Sequence, residues 1–227
     1  MKFLSPAKLN LNLRVISKRN DGYHNLETTF QLINLFDEIS FEESDKSFGI
    51  SCDGLDIEPE NNLIFKSLNA ITKYCNVDKG IQIHLKKIIP AGAGLGGGSS
   101  NAATTLIALN KIWDLNLSTE ELVDIGKGLG ADVPIFIYGK NAVATGIGDV
   151  LSDIEFKKNK YFLIYPDIEV STSEMFRKLK IHELDPKHQN SFLDTLLKEH
   201  KSIEDFYKSF VNDYDLKLSG TGSTLFI

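Results

Sequence analysis

The amino-acid sequence predicts an α+β fold. Two observations support this: strand-like and helix-like segments alternate irregularly along the 227 residues, and the first part of the chain is rich in strands. A doubly wound sheet would instead need a regularly repeated strand–helix unit. No internal repeat, low-complexity tract or clear linker interrupts the chain.

The first predicted strand, residues 7–15, has two unlike faces. Leucine and valine alternate there with Lys8, Asn10, Asn12 and Arg14, so one face would be buried and the other could line a site. A turn is predicted to follow at 20–22. Alternation, apolar content and flanking turn residues predict the remaining strands, at 27–36, 38–44, 81–85, 161–165, 217–218 and 225–227.

Helices are predicted from apolar spacing and from capping residues. The spacing over 62–75 and the alanine and leucine content of 102–112 each indicate a helix. Ser118 and Glu121 form a capping box that opens a third helix, and the same pattern precedes 175–179.

Composition and charge argue against several classes of function. The net charge is -6, from 25 basic and 31 acidic residues, and no basic stripe of the kind that binds nucleic acid is visible. No window approaches the roughly 18 apolar residues of a membrane helix. Cys52 and Cys75 are too few for a disulfide framework, and no signal peptide is evident. We therefore expect a soluble cytoplasmic protein, with neither nucleic acid nor a membrane as its partner.

The most informative segment is a glycine-rich loop between a predicted strand and a predicted helix. Five glycines in seven positions leave a run of backbone N–H groups that no side chain shields. The helix N-terminus adds about half a positive charge, so the loop suits a phosphate group. The loop residues are Pro90, Ala91, Gly92, Ala93, Gly94, Leu95, Gly96, Gly97, Gly98, Ser99 and Ser100.

Three other interpretations of this loop are weaker. Gly92, Gly94 and Gly97 match a dinucleotide-binding fingerprint, but they lie mid-chain and outside a clear βαβ unit. A Walker A loop would need lysine where Gly98 stands. A mere turn rarely needs three adjacent glycines, each of which costs about 0.5–1 kcal/mol. Phosphate binding is therefore favoured.

The loop and three further motifs resemble the GHMP kinase superfamily. The further motifs are Pro6–Leu11, Asp21–Leu26 and Leu129–Pro134, in the family's order. The resemblance covers the chain from residue 3 to about 176 and resumes at Ser219–Gly222.

The resemblance implies a two-lobed GHMP-kinase-like fold. A ribosomal-protein-S5-like lobe with the ATP loop would cover 1–150, and a ferredoxin-like lobe would cover 151–227. Family members continue past the match at 219–222, whereas this chain ends at Ile227. We therefore expect an incomplete second lobe with exposed apolar surface, since a helix that buries three large side chains contributes roughly 4–9 kcal/mol.

The resemblance also implies that Lys8 and Asp132 are the catalytic pair. From the residues alone, Lys8 could be a solvated lysine, and Asp132 could be an ordinary N-cap before Val133-Pro134. The pKa values of an alcohol and of aspartate differ by about 12 units, so Asp132 cannot form a free alkoxide. It would orient the hydroxyl and accept its proton late in the transfer. Lys8 would keep Asp132 ionised and offset charge on the phosphoryl group.

The expected cosubstrate is ATP, bound by the glycine loop and by Lys87, which could reach a phosphate or simply face water. Mg²⁺ would arrive with ATP, bridging its phosphates. Ser99 and Ser100 are possible hydroxyl ligands of that ion, and no residue is assigned as a ligand of a resident metal.

Tyr23 and His24 predict the acceptor. Alone they could be a half-buried aromatic and a surface histidine, but in the branch of the superfamily that carries this pair they recognise cytosine. Tyr23 would stack on the base and His24 would bond to its edge. The acceptor would be the 2-hydroxyl of the methylerythritol part of a cytidine diphosphate, in the non-mevalonate route to isoprenoids. The remaining candidate substrate residues are Asn10, Phe30, Phe176, Gly220, Thr221 and Gly222.

Three alternatives stay open. The first is another small-alcohol kinase, of the homoserine or mevalonate type, against which Tyr23 and His24 argue because they imply a base. The second is an inactive nucleotide-binding fragment, against which Lys8 and Asp132 argue. The third is an NAD-binding oxidoreductase, which would change the fluorescence of NADH on mixing.

Overall fold

The computed structural model describes residues 1–53, 62–155, 159–185 and 188–227. The chain forms two compact units, each assembled from separate stretches of sequence. The first unit holds Met1–Ala7, Leu32–Pro90 and Gly96–Lys140, and the second holds Lys8–Gln31, Ala91–Leu95 and Asn141–Ile227. This division differs from a single boundary near residue 150, and the assignment of 1–150 and 151–227 to two family lobes stays a prediction.

The strands and helices are numbered in chain order. The strands are β1 Lys2–Lys18, β2 His24–Ser44, β3 Phe48–Asp53, β4 Gly80–Lys86, β5 Ala142–Thr145, β6 Val150–Asp153, β7 Leu163–Ile164, β8 Lys217–Leu218 and β9 Leu225–Phe226. The helices are α1 Leu63–Cys75, α2 Gly97–Ile112, α3 Thr119–Lys127, α4 Val133–Tyr138, α5 Thr172–Lys178, α6 Leu193–Glu199 and α7 Lys201–Phe210, with a 3-10 turn at Ile181–Glu183.

In the first unit, β4 pairs with two neighbours. It is antiparallel to β2, with Glu38 opposite Lys86, and parallel to β3, with Phe48 opposite Ile81. Helices α1 to α4 belong to this unit, and α1 and α2 lie against each other. Leu68 of α1 is almost fully buried, which accounts for the apolar stripe in the sequence.

The second unit has two sets of strand pairings. The beginning of β2 pairs antiparallel with β5, which in turn pairs with β6. Strand β9 lies between β7 and β8, antiparallel to both. A buried apolar cluster in this unit includes Leu13 of β1, Phe192, Leu196 of α6 and Leu225 of β9.

Several predicted elements are confirmed. The strand at 7–15 lies inside β1, and the helix at 62–75 is α1, whose N-cap Asn62 accepts the N–H of Ile64 at 2.9 Å. The capping box at the start of α3 is present in both directions between Ser118 and Glu121.

Other elements differ from the prediction. The strands at 27–36 and 38–44 are one strand, β2, which continues through Asp37. The Asp37 carboxylate is buried and accepts the N–H groups of Ile88 and Ile89 at 2.7 and 2.8 Å, so a charged residue is tolerated inside the strand. Helix α2 begins at Gly97 instead of residue 102, so part of the glycine loop forms its first turn. The strand predicted at 161–165 is limited to β7, while β3, β5, β6, α6 and α7 were not predicted.

The chain end lies in a buried strand. Leu225 and Phe226 are at most 1% exposed, so β9 itself is covered. Exposed apolar side chains do occur elsewhere in the second unit, at Phe162 and along α7 at Phe206 and Phe210. Within the described ranges, no helix is both long enough and apolar enough to cross a membrane.

Candidate functional site

Part of the glycine loop lies in the second unit, and there the backbone carbonyls of residues 92–95 point towards other elements of the protein. Each carbonyl from Gly92 to Leu95 accepts a hydrogen bond from another element, so the negative ends of these peptide dipoles are neutralised by protein donors. These hydrogen bonds would favour phosphate binding, because an unpaired carbonyl oxygen facing the ligand would repel it. The backbone bonds run from Val170 N–H to Gly92 O at 2.9 Å, from Thr224 N–H to Ala93 O at 3.1 Å, and from Lys8 N–H to Leu95 O at 3.0 Å.

The fourth carbonyl, that of Gly94, binds the Lys8 side chain. Lys8 is only 3% exposed, so the alternative of a solvated lysine is wrong. Its Nζ donates to Gly94 O at 3.0 Å and to Asn10 Oδ1, and it lies 5.7 Å from the centre of the Phe30 ring. Oxygen dipoles and an aromatic face thus compensate the desolvation of this ammonium.

Asn10 and Phe30 support Lys8. Asn10 is 2% exposed, and its Nδ2 donates to Thr28 Oγ1 at 2.7 Å, which fixes the amide so that Oδ1 faces Lys8. Thr28 in turn donates to Asn12 O at 2.6 Å. Phe30 is 1% exposed, so its ring supports the ammonium. Their predicted contact with a substrate stays a prediction.

The second glycine-rich loop, 219–222, packs directly on the first. A Cβ at Gly94, whose φ is +74°, would lie 2.8 Å from Gly222 O and closer still to Ser219 O. A Cβ at Gly220 would lie 3.3 Å from Lys8 Nζ. Thr221 is also buried, with its hydroxyl 3.2 Å from that of Thr172. The loop connects β8 to β9, as a hairpin would, and also lies close to the Lys8 ammonium.

In the first unit, α2 begins with the rest of the glycine loop. Gly96 is its N-cap, and the first helical bond joins Ser100 N–H to Gly96 O at 2.8 Å. The N–H groups before that bond therefore point out of the helix N-terminus. The Ser100 hydroxyl is fully buried, 2.8 Å from Ser5 Oγ, whereas Ser99 is half-buried. Of the two serines, Ser99 is the better placed to meet a ligand.

Lys87 lies beside this helix start and is held by Asp37. Its Nζ is 2.7 Å from Asp37 Oδ2 and also donates to Ile89 O. Its side chain is 12% exposed, so the alternative of a lysine that faces water is wrong. A Cβ at Gly97 would lie 2.9 Å from Nζ, which places the ammonium next to the first turn of α2.

Asp132 lies at the N-cap position of α4 but does not act as an N-cap. It is half-buried, and its side chain makes no capping hydrogen bond. The segment before it approaches the glycine loop, since a Cβ at Gly130 would lie 3.8 Å from Ser99 Oγ. The ordinary capping role that the sequence allowed is therefore excluded.

The predicted acceptor residues lie at the start of β2. His24 is 8% exposed, and its ring is 5.2 Å from that of Phe176, which in turn is 4.7 Å from Phe192. Burial lowers the pKa of His24 below its usual value, and nearby Lys18 lowers it further. Tyr23 is 59% exposed, so one of its faces is open for stacking. A neutral imidazole beside aromatic rings suits recognition of an uncharged base.

Sequence reasoning missed several supporting residues. Ser5, Thr28 and Asp37 are polar side chains that are fully buried, each with hydrogen-bond partners in the fold. The available signal was a polar residue inside an otherwise buried strand, for which a partner is required. Within the described part of the chain, no three His, Cys, Asp or Glu side chains are grouped so that they could hold a metal ion.

A family model and a solved structure define the class of protein. The model for the GHMP kinases N terminal domain matches residues 62–140, which include the whole glycine loop and Asp132. A homoserine kinase from Cytophaga hutchinsonii has the same fold, with a TM-score of 0.68 at 18% identity over 100% of this chain and 84% of that one. The predicted GHMP kinase fold is therefore confirmed.

Curated relatives define the family. A 4-diphosphocytidyl-2-C-methyl-D-erythritol kinase from Syntrophus aciditrophicus is 41% identical over 100% of this chain and 88% of its own length. The enzyme of that name from Acinetobacter baylyi is 38% identical over 100% and 86%. A solved 4-(cytidine 5'-diphospho)-2C-methyl-D-erythritol kinase has a TM-score of 0.85 at 28% identity, over 100% and 89%. The chain belongs to the 4-diphosphocytidyl-2-C-methyl-D-erythritol kinase family.

Proposed function

We propose that this chain transfers the γ-phosphate of ATP to the 2-hydroxyl of 4-diphosphocytidyl-2-C-methyl-D-erythritol, a step towards isoprenoid precursors. The observation that carries the proposal is the buried ammonium of Lys8, bonded to Gly94 inside the glycine loop. Identity of 38–41% to kinases of that name supports the choice of acceptor. Because ATP is a cytoplasmic metabolite, the reaction belongs in the cytoplasm.

The ATP phosphates bind at the glycine loop and the start of α2. The N–H groups ahead of the Ser100–Gly96 bond supply donors, and the helix dipole adds positive potential. Lys87 places its ammonium group beside the same turn, and the ion pair with Asp37 fixes the orientation of that group. The Ser99 hydroxyl would be a ligand of Mg²⁺ bound with ATP, which would supply positive charge against the phosphates.

Lys8 stabilises the transferred phosphoryl group. In a loose transition state the charge is spread over the equatorial oxygens, so the protein contributes mainly positioning and electrostatics. A cation held away from water interacts more strongly with such charge than a solvated one does. Burial of Lys8 at 3% exposure supports this role.

Asp132 orients the acceptor hydroxyl and accepts its proton. The pKa difference of about 12 units between an alcohol and a carboxylic acid corresponds to ~16 kcal/mol, so proton transfer before phosphoryl transfer is excluded. The proton leaves late, when the new P–O bond has made the hydroxyl acidic. The segment just before Asp132 approaches the glycine loop, with a Cβ at Gly130 placed 3.8 Å from Ser99 Oγ, which supports this assignment.

The acceptor is held through its cytosine. Tyr23 stacks on the base with its open face, and His24 bonds to the base edge while Phe176 supports the imidazole ring. Uracil carries a carbonyl where cytosine has an amino group. The wrong base would leave a buried group unpaired, at about 1–3 kcal/mol.

A coupled assay for ADP release tests the proposal. We expect turnover with the cytidine diphosphate substrate and at least a hundredfold less with homoserine or mevalonate, which offer no base to Tyr23 and His24. CMP should inhibit more strongly than UMP. Preferred turnover of homoserine or mevalonate, or equal inhibition by CMP and UMP, would contradict the assignment of the acceptor.

A further inference from the structure

Two buried polar residues of the second unit, Ser219 and Asn190, have no part in the chemistry proposed above. Ser219 is fully buried at the start of the 219–222 loop. Its Oγ donates to Gly94 O at 2.9 Å and accepts the N–H of Asn10 at 3.3 Å. The same Gly94 oxygen accepts Lys8 Nζ at 3.0 Å. Ser219 and the catalytic lysine therefore share one acceptor.

Asn190 fixes the backbone on both sides of Ser219. It is 5% exposed, and its Nδ2 donates to Leu218 O and to Gly220 O, each at 2.9 Å. Its Oδ1 accepts the N–H of Phe192 at 2.8 Å. Since the amide uses both donors and its acceptor, it holds the peptides that flank Ser219 in one orientation.

Asn190 is also joined to the strand that carries Lys8. Leu13 of β1 forms a parallel bridge with Asn190: its N–H donates to Gln189 O at 2.9 Å, and its carbonyl accepts the N–H of Ser191 at 2.8 Å. The contacts thus form one hydrogen-bond network, which starts at β1, runs through Asn190, Ser219 and Gly94, and returns to β1 at Lys8.

This hydrogen-bond network fixes the direction of the Gly94 carbonyl, because it occupies both lone pairs of the oxygen. A carbonyl oxygen has two, and here one receives the ammonium and the other the Ser219 hydroxyl. With the hydroxyl in place the carbonyl direction is set, and so is the position of Lys8. Electrostatic catalysis depends on such preorganisation, and a misplacement of about 1 Å can cost about a hundredfold in rate.

We propose that Ser219 and Asn190 are positioning residues, which hold Lys8 through the Gly94 carbonyl for phosphoryl transfer. This inference rests on the kinase function proposed above. It assigns a role to Asn190, which lies in the stretch between 176 and 219 where the family resemblance is weak. It also explains why Ser219 is a serine, since the position needs both a donor and an acceptor.

The chain offers a matched control in Ser223. It is fully buried in the same connection between β8 and β9, but its Oγ donates to Ile168 O at 2.5 Å. Replacement by alanine at 219 or at 223 removes the same atom from the same loop. Only the change at 219 removes a bond to Gly94.

The first experiment compares steady-state kinetics of Ser219→Ala, Asn190→Asp and Ser223→Ala, each well below its melting temperature. Asn190→Asp keeps the acceptor for Phe192 but loses both donors. We expect kcat to fall about tenfold in the first two variants, with KM for ATP within about twofold of wild type. Ser223→Ala should keep wild-type kcat, even if its melting temperature falls as much as that of Ser219→Ala. Equal kcat in Ser219→Ala and Ser223→Ala would overturn the proposal, whether or not Asn190→Asp folds.

The second experiment is a double-mutant cycle with Lys8→Ala. If Ser219 acts only through Lys8, Ser219→Ala should lower kcat about tenfold in wild type and leave the residual kcat of Lys8→Ala unchanged. The same tenfold fall in both backgrounds would refute positioning and indicate a general structural role. Wild-type turnover in Lys8→Ala itself would instead refute the proposed function, and this inference with it.

Discussion

At the scale of single residues, the site depends on how buried charge is compensated. The Lys8 ammonium is 3% exposed and is surrounded by oxygen acceptors and the Phe30 ring. The Asp37 carboxylate is fully buried and is satisfied by Lys87 and by two backbone N–H groups. Breaking such a buried pair typically costs about 3–5 kcal/mol, because one uncompensated charge remains. Loss of Asp37 is therefore expected to lower the stability of the first unit.

The catalytic assignment predicts that Asp132→Asn and Lys8→Ala each lower kcat by at least about a hundredfold, the usual scale for acid–base and electrostatic groups. Affinity for ATP should change little, since the start of α2 is untouched. ADP release and nucleotide binding measure the two effects separately. Asp124→Asn is a suitable control, because that carboxylate is 74% exposed on α3. Near-normal ADP release by Asp132→Asn would show that Asp132 is not the base.

The lowered pKa of His24 predicts a loss of stability in acid. Above the usual histidine pKa of about 6.5, folded and unfolded chains both hold a neutral imidazole. Below it the unfolded chain binds a proton first, so stability falls as the pH drops from about 6.5 through the lower pKa of the folded state. Melting temperatures at pH 7.5 and 5.5 measure this loss. It should be smaller in His24→Gln, while His182→Gln, at a side chain 80% exposed, should behave as wild type. An identical acid loss in His24→Gln would contradict the burial argument.

At the scale of elements, the glycine loop serves two purposes. Up to Leu95 it is tied into the second unit by its carbonyls, and from Gly96 it forms the start of α2 in the first unit. The glycines in the two parts are therefore needed for different reasons. Gly94 has positive φ and close backbone neighbours, whereas Gly98 lies in a helix where an added Cβ would meet only an ordinary contact with Leu63.

The different surroundings predict opposite effects of alanine on stability. Gly94→Ala would strain a φ of +74° and place its Cβ 2.8 Å from Gly222 O, so we expect a loss of several kcal/mol or no soluble protein. Gly98→Ala would meet only Leu63 Cδ1, at 3.5 Å, and should be neutral or stabilise α2 by up to about 1 kcal/mol. Thermal unfolding distinguishes the two variants. Equal melting temperatures would contradict the close packing of the two loops.

At the scale of the whole molecule, neither compact unit is one continuous stretch of sequence. The chain passes between them within β1, within β2 and within the glycine loop. In the second unit, aromatic residues lie exposed along and after α7, with rings of Phe206 and Phe210 4.8 Å apart and Phe210 and Tyr214 6.3 Å apart. The expectation of an incomplete second lobe stays a prediction, since β9 itself is buried.

The exposed aromatic residues predict that the native protein binds a dye that reports apolar surface. Phe210→Ser should reduce dye fluorescence with little change in melting temperature, because the side chain is 40% exposed. Phe48→Ser, at a residue 49% exposed in the first unit, should leave most of the signal. A sharp transition above about 55 °C with no dye bound beforehand would contradict this prediction.

The sequence by itself determined the features that depend on neighbouring residues. Alternation predicted the two faces of β1, the capping box predicted the start of α3, and the run of glycines predicted a loop that leads into a helix. Each of these features depends on residues within a few positions. Motif order also identified the family and the fold correctly. The same local evidence left Lys8, Asp132 and Lys87 ambiguous, since a lone lysine or aspartate has the same sequence pattern whether it is buried or solvated.

Only the tertiary structure decided which polar groups meet. Ser219 and Gly94 are 125 residues apart, and Asn190 and Leu218 are 28 apart, yet both pairs are hydrogen-bonded. Asp37 is buried inside β2, and its partners Ile88 and Ile89 follow the end of β4, about fifty residues further along the chain. A buried polar side chain must have a partner, but nothing in its neighbours along the chain specifies which one. When folding excludes water, a polar group without a hydrogen-bond partner becomes costly. The packing in which each of these buried groups is paired is therefore favoured over the alternatives.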